Sequence, residues 1–477
     1  MSRSFLIWFD WETVRFFVQP RPGQYRWLSP WWSGWVDLSD YGIIVASQTL
    51  RPLMTWTFQL ESILFADWAP GYHFINFAAH LACCYLFMCF LRKLHVPSPV
   101  AALFALLFAV HPLTTVPLWI LGDRAEVFVL LGGLIALLAY PSRRFAVLSG
   151  LFIALYSKES AISIPAWLIA YDCLFLNTGA PFRTSLKKRI RRLVPSLVLT
   201  LLYLVHRTAV FSGMGGYKSL DHSRITRLPD VFNQNIAWLL TFPHGKTLIT
   251  LSFLFITIST LLWTRSRTAL FGTLWLLLFF MPTNNLCNKW YLYTSVAALM
   301  TVFAGIVNDG CSHTPISKPL PVLILLIAVY LSIISYAEMY HQKRNADLPI
   351  RLATLLKEKI PSIPSGSRID FVLPPDVKKN ELKGHYFNPL IFHIEADKSP
   401  IESIVWDLNS TRYLPDATPV WTRSVEAAIR LIYNDISLKV SLVDHNEPSL
   451  DNAMRVFYNP SSGLNLNISH ENLLDPS

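Results

Sequence analysis

The consecutive segments SPVAALFALLFAV (98–110), HPLTTVPLW (111–119) and ILGDRAE (120–126) decide the fold. From Ser98 to Leu118 there is no charged side chain, and about 20 apolar residues are what an α-helix needs to cross the hydrocarbon core of a bilayer. The run is bracketed unequally. Before it stands the plain basic pair Arg92-Lys93, and after it comes Asp123-Arg124-Ala125-Glu126, with acid and base together. A basic turn is the mark of a cytoplasmic loop. Acids and bases set side by side next to lipid are costly, and they line polar cavities that have a task. The segment therefore predicts a span, its orientation, and a working face turned away from the cytoplasm.

The same asymmetry recurs outward along the chain. Mixed polar clusters stand at His111-Pro112, at Ser157-Lys158-Glu159-Ser160, and from Asn284-Asn285 through Lys289-Trp290-Tyr291. The opposite turns carry Arg92, Lys93, Arg143, Arg144, Arg183, Lys187, Lys188, Arg189, Arg191, Arg192, Arg265, Arg267 and Lys318, which is 13 of the 41 Lys and Arg. Topology thus accounts for much of the net charge of +10, and no basic face for nucleic acid is formed. A chain 52% hydrophobic and 15% charged, with mean hydropathy +0.37, belongs to the polytopic membrane class. The six cysteines lie in or beside apolar runs, with neither a disulfide framework nor a zinc spacing.

Ten spans are expected, at about 71–91, 98–118, 124–141, 144–157, 160–177, 191–208, 248–264, 268–286, 290–308 and 319–339. Several are short. The run between Arg144 and Lys158 would leave Lys158 and Glu159 in a wet recess below the interface. Residues 229–247 read as a re-entrant or interfacial piece. With ten spans, both chain ends face away from the cytoplasm. Residues 1–70 form a first segment on that side, rich in Trp and broken by Pro20, Pro22, Pro30 and Pro52, the character of interfacial helices. Residues 71–340 are the transmembrane helical domain. Residues 341–477 show an amphipathic helix near 346–360, alternating stretches at Arg368–Leu373 and Ile401–Trp406, and a helix near 423–434. The expected fold is a polytopic α-helical membrane protein of about ten spans with a small C-terminal α/β domain outside the membrane. Met1–Phe9 is too short in apolar residues for a signal sequence or a span.

Arg51-Pro52-Leu53 is followed by Pro70-Gly71-Tyr72-His73 with Asn76 and His80. Then come His111-Pro112, Trp119, Arg124 and Glu126, then Ser157-Lys158-Glu159, and late in the chain Lys289-Trp290-Tyr291-Leu292-Tyr293. In this order the motifs resemble the GT-C class of glycosyltransferases that use lipid-phosphate sugars. The likeness is to the protein O-mannosyltransferase-like branch, which includes the transmembrane-and-tetratricopeptide proteins. It covers about residues 45–175, with a weaker echo near 280–300. Tetratricopeptide repeats are not visible, because no helical period of about 34 residues occurs.

The resemblance implies a GT-C-like fold and transfer of a hexose, such as mannose, from a polyprenyl-phosphate donor to a hydroxyl of a protein or glycan. The leaving phosphate calls for cations near the interface. Arg124, Lys158 and Lys289 are the first candidates, with Arg51 and Arg207 behind them. The acceptor hydroxyl calls for a base. Asp10, in Phe9-Asp10-Trp11-Glu12, stands where the family places its first-loop acid, with Glu12 as the second choice. The family pattern also expects a transmembrane helix ahead of that acid. Glu126 is a second acid or the partner of Arg124, Glu159 belongs to the same polar turn, and His111 is placed to hydrogen-bond in the cavity or to sugar. No residue is assigned to a metal, since neither H-x-x-H nor H-E-x-x-H occurs, and a need for a divalent ion stays open. The protein is expected in a bacterial inner membrane or the endoplasmic reticulum, with its active side non-cytoplasmic. Two other classes remain: a transporter or lipid carrier, and a catalytically inactive scaffold, which Val116 suggests by standing where relatives place Glu.

Overall fold

A computed structural model describes residues 31, 50–65, 68–119, 121–176, 182–211, 222–241, 247–283, 289–310, 320–372, 429, 433, 438–443, 453–457 and 467–469. The chain divides into two units: Arg21–Leu64 with Gly71–Ser335, and Met1–Pro20 with Phe65–Pro70 and Tyr336–Ser477.

The first unit is helical. It opens with α1 (Pro52–Phe65), α2 (Ala69–Lys93), α3 (Ser98–Val110) and α4 (Pro112–Trp119). Proline sets these boundaries. Pro99 lies in the first turn of α3, where its missing N–H costs nothing. Pro112 forces the residue before it out of the α region, so His111 is extended (φ −67, ψ 134) and α3 and α4 meet at a 59° bend. A 3-10 turn (Leu121–Asp123) leads to α5 (Arg124–Ala139) and α6 (Arg144–Leu155). A second (Glu159–Ser163) leads to α7 (Ile164–Phe175) and α8 (Phe182–Phe211). Next come α9 (His222–Leu239), α10 (Thr247–Thr264), α11 (Arg267–Thr283), a third 3-10 turn (Lys289–Leu292), α12 (Tyr293–Gly310) and α13 (Leu320–Lys359), whose first part completes this unit.

Small residues let the backbones approach. A Cβ on Gly132 of α5 would lie 2.3 Å from the Gly150 carbonyl oxygen of α6, and one on Gly150 would lie 2.5 Å from that of Gly132. Gly305 of α12 meets the backbone of Ala269 of α11 in the same way, at 2.3 Å. Interlocking of this kind holds helices together where burial of apolar surface supplies little drive. Between α2, α7 and α11 the core is aromatic, with Phe90, Trp167, Phe271, Trp275 and Phe279 all buried. Outward faces are also apolar: Leu201 and Leu202 of α8, Phe255 of α10 and Leu326 of α13 are each about 60% exposed or more.

Among the described residues, two helical stretches are long and apolar enough to cross a membrane, Pro70–Lys93 and Lys187–Phe211, and the bent pair α3–α4 makes a third if counted as one span. Shorter apolar helices are Arg144–Leu155, Thr247–Ser259, Arg267–Phe280 and Pro321–Tyr336. The expected ten thus meet a length limit. At 1.5 Å per residue, a 12-residue helix such as α6 or α7 covers only about 18 Å of a hydrocarbon core of about 30 Å.

At the basic-turn end, several cations hold the helices in place. Lys93 Nζ donates to the carbonyls of Leu137, Leu138 and Tyr140 at 2.8, 2.9 and 2.5 Å, capping the C-terminus of α5. Arg189 and Arg192 pair with the buried Asp172 at 3.2 and 3.3 Å, and Tyr140 donates its hydroxyl to the same carboxylate at 2.5 Å. Arg143, Arg144, Lys187, Lys188 and Arg191 are exposed.

The second unit contains the last part of α13 and a four-stranded sheet of order β2-β1-β3-β4. Its strands are β1 (Arg368–Val372), β2 (Lys439–Val443), β3 (Ala453–Phe457) and β4 (Asn467–Ser469). β1 runs parallel to β2 and β3, with Ile369 level with Val440 and Met454, and β4 is antiparallel to β3. Ile369, Val372, Met454 and Val456 are buried, as are Leu356 and Ile429. The strand read at 368–373 is present as β1, and the helix read at 346–360 is the end of α13. The strand expected at 401–406 lies outside the described residues.

Candidate functional site

In the helical unit the polar turns converge. Leu53 N–H donates to the Tyr156 carbonyl at 3.3 Å, which ties the start of α1 to the end of α6. Arg51 and Glu159 are thereby brought together across 108 residues. Arg51 grips that carboxylate with two donors, Nε at 3.2 Å and Nη2 at 2.9 Å. Lys158 is extended (φ −161, ψ 145) and turns inward. Its Nζ pairs with Glu126 of the first turn of α5 at 2.5 Å and stands 3.9 Å from the centre of the Tyr291 ring. Asp123, on the first 3-10 turn, lies in the field of Lys158, Glu126 and Arg51, and Arg207 of α8 acts on Glu159. Beside this cluster Tyr156 packs against Trp31 and His206, and His206 Nε2–H donates to the Trp31 carbonyl at 2.9 Å.

The electrostatics follow from burial set against partners. Burial raises Glu159, but Arg51, Arg207 and Lys158 outweigh it and hold its carboxyl at about 2. Lys158 is lowered, chiefly by burial and further by Arg51, against the pull of Glu126 and Asp123. Asp123 is pushed up to about 7 by burial and by Glu126, with Lys158 and Arg51 opposing.

Arg124 belongs to a different set. Residues 124 and 126 leave a helix about 200° apart, so Glu126 turns to Lys158 while Arg124 turns to α1. Arg124 is fully buried, paired with Glu61, and bonded to Thr57 Oγ1 at 3.2 Å and to the Tyr72 carbonyl at 3.3 Å. Its guanidinium lies 4.1 Å from the Phe58 ring centre. Sequence reasoning passed over Glu61, although a lone carboxylate in the apolar helix PLMTWTFQLESILF is itself a signal that a cation must meet it.

The histidine motif has a structural part. His73, Asn76 and His80 share one face of α2. They donate to the carbonyls of Leu118 (2.7 Å), Pro117 (2.6 Å) and Ala109 (3.2 Å), along the bent helix. The Ala109 bond puts the proton on His80 Nε2, so Nδ1 accepts from the Tyr293 hydroxyl at 2.8 Å. Thr114 Oγ1 caps Phe108 and His111, and Ser335 Oγ caps Val110 at 2.8 Å. His111 donates from Nε2 to the Leu239 carbonyl and accepts at Nδ1 from Leu113 N–H, both at 3.2 Å, so backbone groups engage both ring nitrogens.

The structure therefore gathers Arg51, Glu126, Lys158 and Glu159, adds Asp123, and sets Arg124 and His111 in neighbouring networks. Lys289 opens the third 3-10 turn, but its side chain lies outside those described; Asp10 and Glu12 lie outside the described residues altogether. Among the described residues no group of three or more His, Cys, Asp or Glu converges on a metal position. In comparisons with family models, with curated proteins and with solved structures, the chain matches none.

Proposed function

We propose that the chain is a GT-C-type membrane glycosyltransferase that moves a hexose from a polyprenyl phosphate to a hydroxyl acceptor on the non-cytoplasmic face. The observation that carries this reading is the buried meeting of Arg51, Lys158 and the field of Arg207 at one cluster. A bidentate guanidinium beside an ammonium is the donor set that a leaving phosphate needs. Glu159 and Glu126 hold these cations in register, and a donor phosphate takes over as their partner. Arg124, on the other side of α5 from Glu126, keeps α1 against α5, and Lys289 is a further cation for the phosphate. Asp10, with Glu12 behind it, is the base that the resemblance supplies. Ten spans are part of the proposal. The apolar outward faces of α8, α10 and α13 suit lipid, and the helices too short to span alone would line the recess. The sheet of the second unit supports a C-terminal α/β domain, placed outside the membrane of a bacterial cell or of the endoplasmic reticulum.

The test is transfer of labelled mannose or glucose from dolichyl and undecaprenyl phosphate in membranes expressing the full chain. Transfer is expected, with losses of about 100-fold or more in Arg51→Ala and Lys158→Met. No transfer from any of these donors would sink the reading. A second reading, an inactive scaffold, draws on the fact that Arg51 and Lys158 each already hold a carboxylate. It predicts that both variants lose stability while no lipid-linked donor binds the parent chain.

A further inference from the structure

We infer that Asp123, in place of the Asp10 that the resemblance offers, is the proton acceptor of this transfer, receiving the acceptor's hydroxyl proton on Oδ2. The assignment rests on the glycosyltransferase reading and deepens it. Asp123 occupies the residue before α5, where an aspartate ordinarily accepts from an N–H of the first helical turn. Here it makes no such bond, and its backbone is helical (φ −86, ψ −1). Its Oδ2 is buried and accepts no hydrogen bond among the described residues. Glu126 and Glu61 also keep a buried Oε2 without a hydrogen bond, but each of the neighbouring carboxylates is already ion-paired, Glu159 with Arg51, Glu126 with Lys158 and Glu61 with Arg124, so that Asp123 is the one with no close cation among the described residues. A buried carboxylate oxygen with nothing to accept from carries a desolvation cost that a hydroxyl donor would relieve.

Its position supplies the rest. The groups that face it are Lys158 at the end of α6, Glu126 on α5 and Arg51 ahead of α1. Two of these are the cations proposed for the phosphate, so Asp123 lies in the field of the groups that would hold the leaving group. In the step, the acceptor O–H proton passes to Oδ2 as the acceptor oxygen bonds to the anomeric carbon. The bond from that carbon to the phosphate oxygen breaks, and its electron pair leaves with polyprenyl phosphate. Burial already pushes Asp123 up to about 7, close to the pH at which a base must be free and still attract a proton. A seated donor phosphate adds negative charge beside it and strengthens that attraction. Transfer should then rise with pH through an acidic limb at about 7 or above.

The experiment compares Asp123→Asn, Asp123→Glu and Asp10→Asn in the full chain, measuring both retention of labelled undecaprenyl-phosphate hexose on the purified protein and sugar transfer across pH. Expected is donor retention within about twofold of the parent for Asp123→Asn, with transfer lower by about 100-fold or more. Asp123→Glu should recover part of the transfer with a displaced acidic limb. Transfer by Asp123→Asn above one-tenth of the parent with an unchanged limb, while Asp10→Asn abolishes it, would overturn the assignment and leave the enzyme intact. Loss of donor retention in both Asp123→Asn and Asp123→Glu would overturn it too, by making the residue part of the frame. A parent chain that neither retains nor transfers would bring down the glycosyltransferase reading along with it.

Discussion

Replacing Lys158 by Met tests the central pair most directly. Lys158 and Glu126 are 4% and 0% exposed at their side chains and 2.5 Å apart. Removing the cation leaves Glu126 to be buried as a lone anion or to take up a proton. Breaking a buried pair from one side costs about 3–5 kcal/mol, whereas replacing both partners with neutral groups of similar size is often close to neutral. At about 2 °C per kcal/mol, Lys158→Met should lower the unfolding midpoint in detergent by about 6–10 °C. Lys158→Met combined with Glu126→Gln should recover more than half of that loss. Tryptophan fluorescence on heating gives all four corners of the cycle under identical detergent and scan rate. Additive losses, with the double variant as unstable as the sum of the singles, would refute the pairing. So would a Lys158→Met protein as stable as its parent.

Other expectations follow from the same geometry. Glu159 is held at about 2, below its usual 4.5, so its contribution is complete above pH 4.5 and is lost as pH falls from there towards 2. Arg51→Met should remove that part of the acid sensitivity, seen as a shallower loss of unfolding midpoint over this window. Gly132→Val should push α5 from α6, because even a Cβ would meet the Gly150 carbonyl at 2.3 Å. A cost of about 1–3 kcal/mol or more is expected, and cysteine pairs placed across α5 and α6 should cross-link more slowly. Asn76→Ala leaves the Pro117 carbonyl without the side-chain donor now 2.6 Å away. It should cost about 1–3 kcal/mol, and a midpoint within 1 °C of the parent would contradict the capping role (about 2 °C per kcal/mol).

What could be read from the residues alone was the local grammar. Apolar runs broken by Pro97, Pro99 and Pro112 announce helices and their ends. Partners across the chain were a different matter. Periodicity says that residues 124 and 126 leave opposite faces of α5, but not which face meets α1 and which meets α6. Arg124 with Glu61 spans 63 residues and Arg51 with Glu159 spans 108, and nothing in a window of helical length carries such information. The same gap explains His111. Its sequence setting, beside a proline and near charges, suits a cavity, yet the bend at Pro112 aims both its nitrogens at backbone.

The capped break between α3 and α4 also bears on how the protein is made. Two of the carbonyls at the end of α3, those of Phe108 and Ala109, are covered from within reach, by Thr114 and by His80 of the preceding helix. The Val110 carbonyl waits for Ser335, which leaves the ribosome 225 residues later. The bend itself does not wait, because Pro112 already keeps His111 out of the α region. A hydroxyl that comes 225 positions later in the chain thus holds the angle that Pro112 introduces, so the last open carbonyl of the break is closed only when the whole helical unit has been assembled.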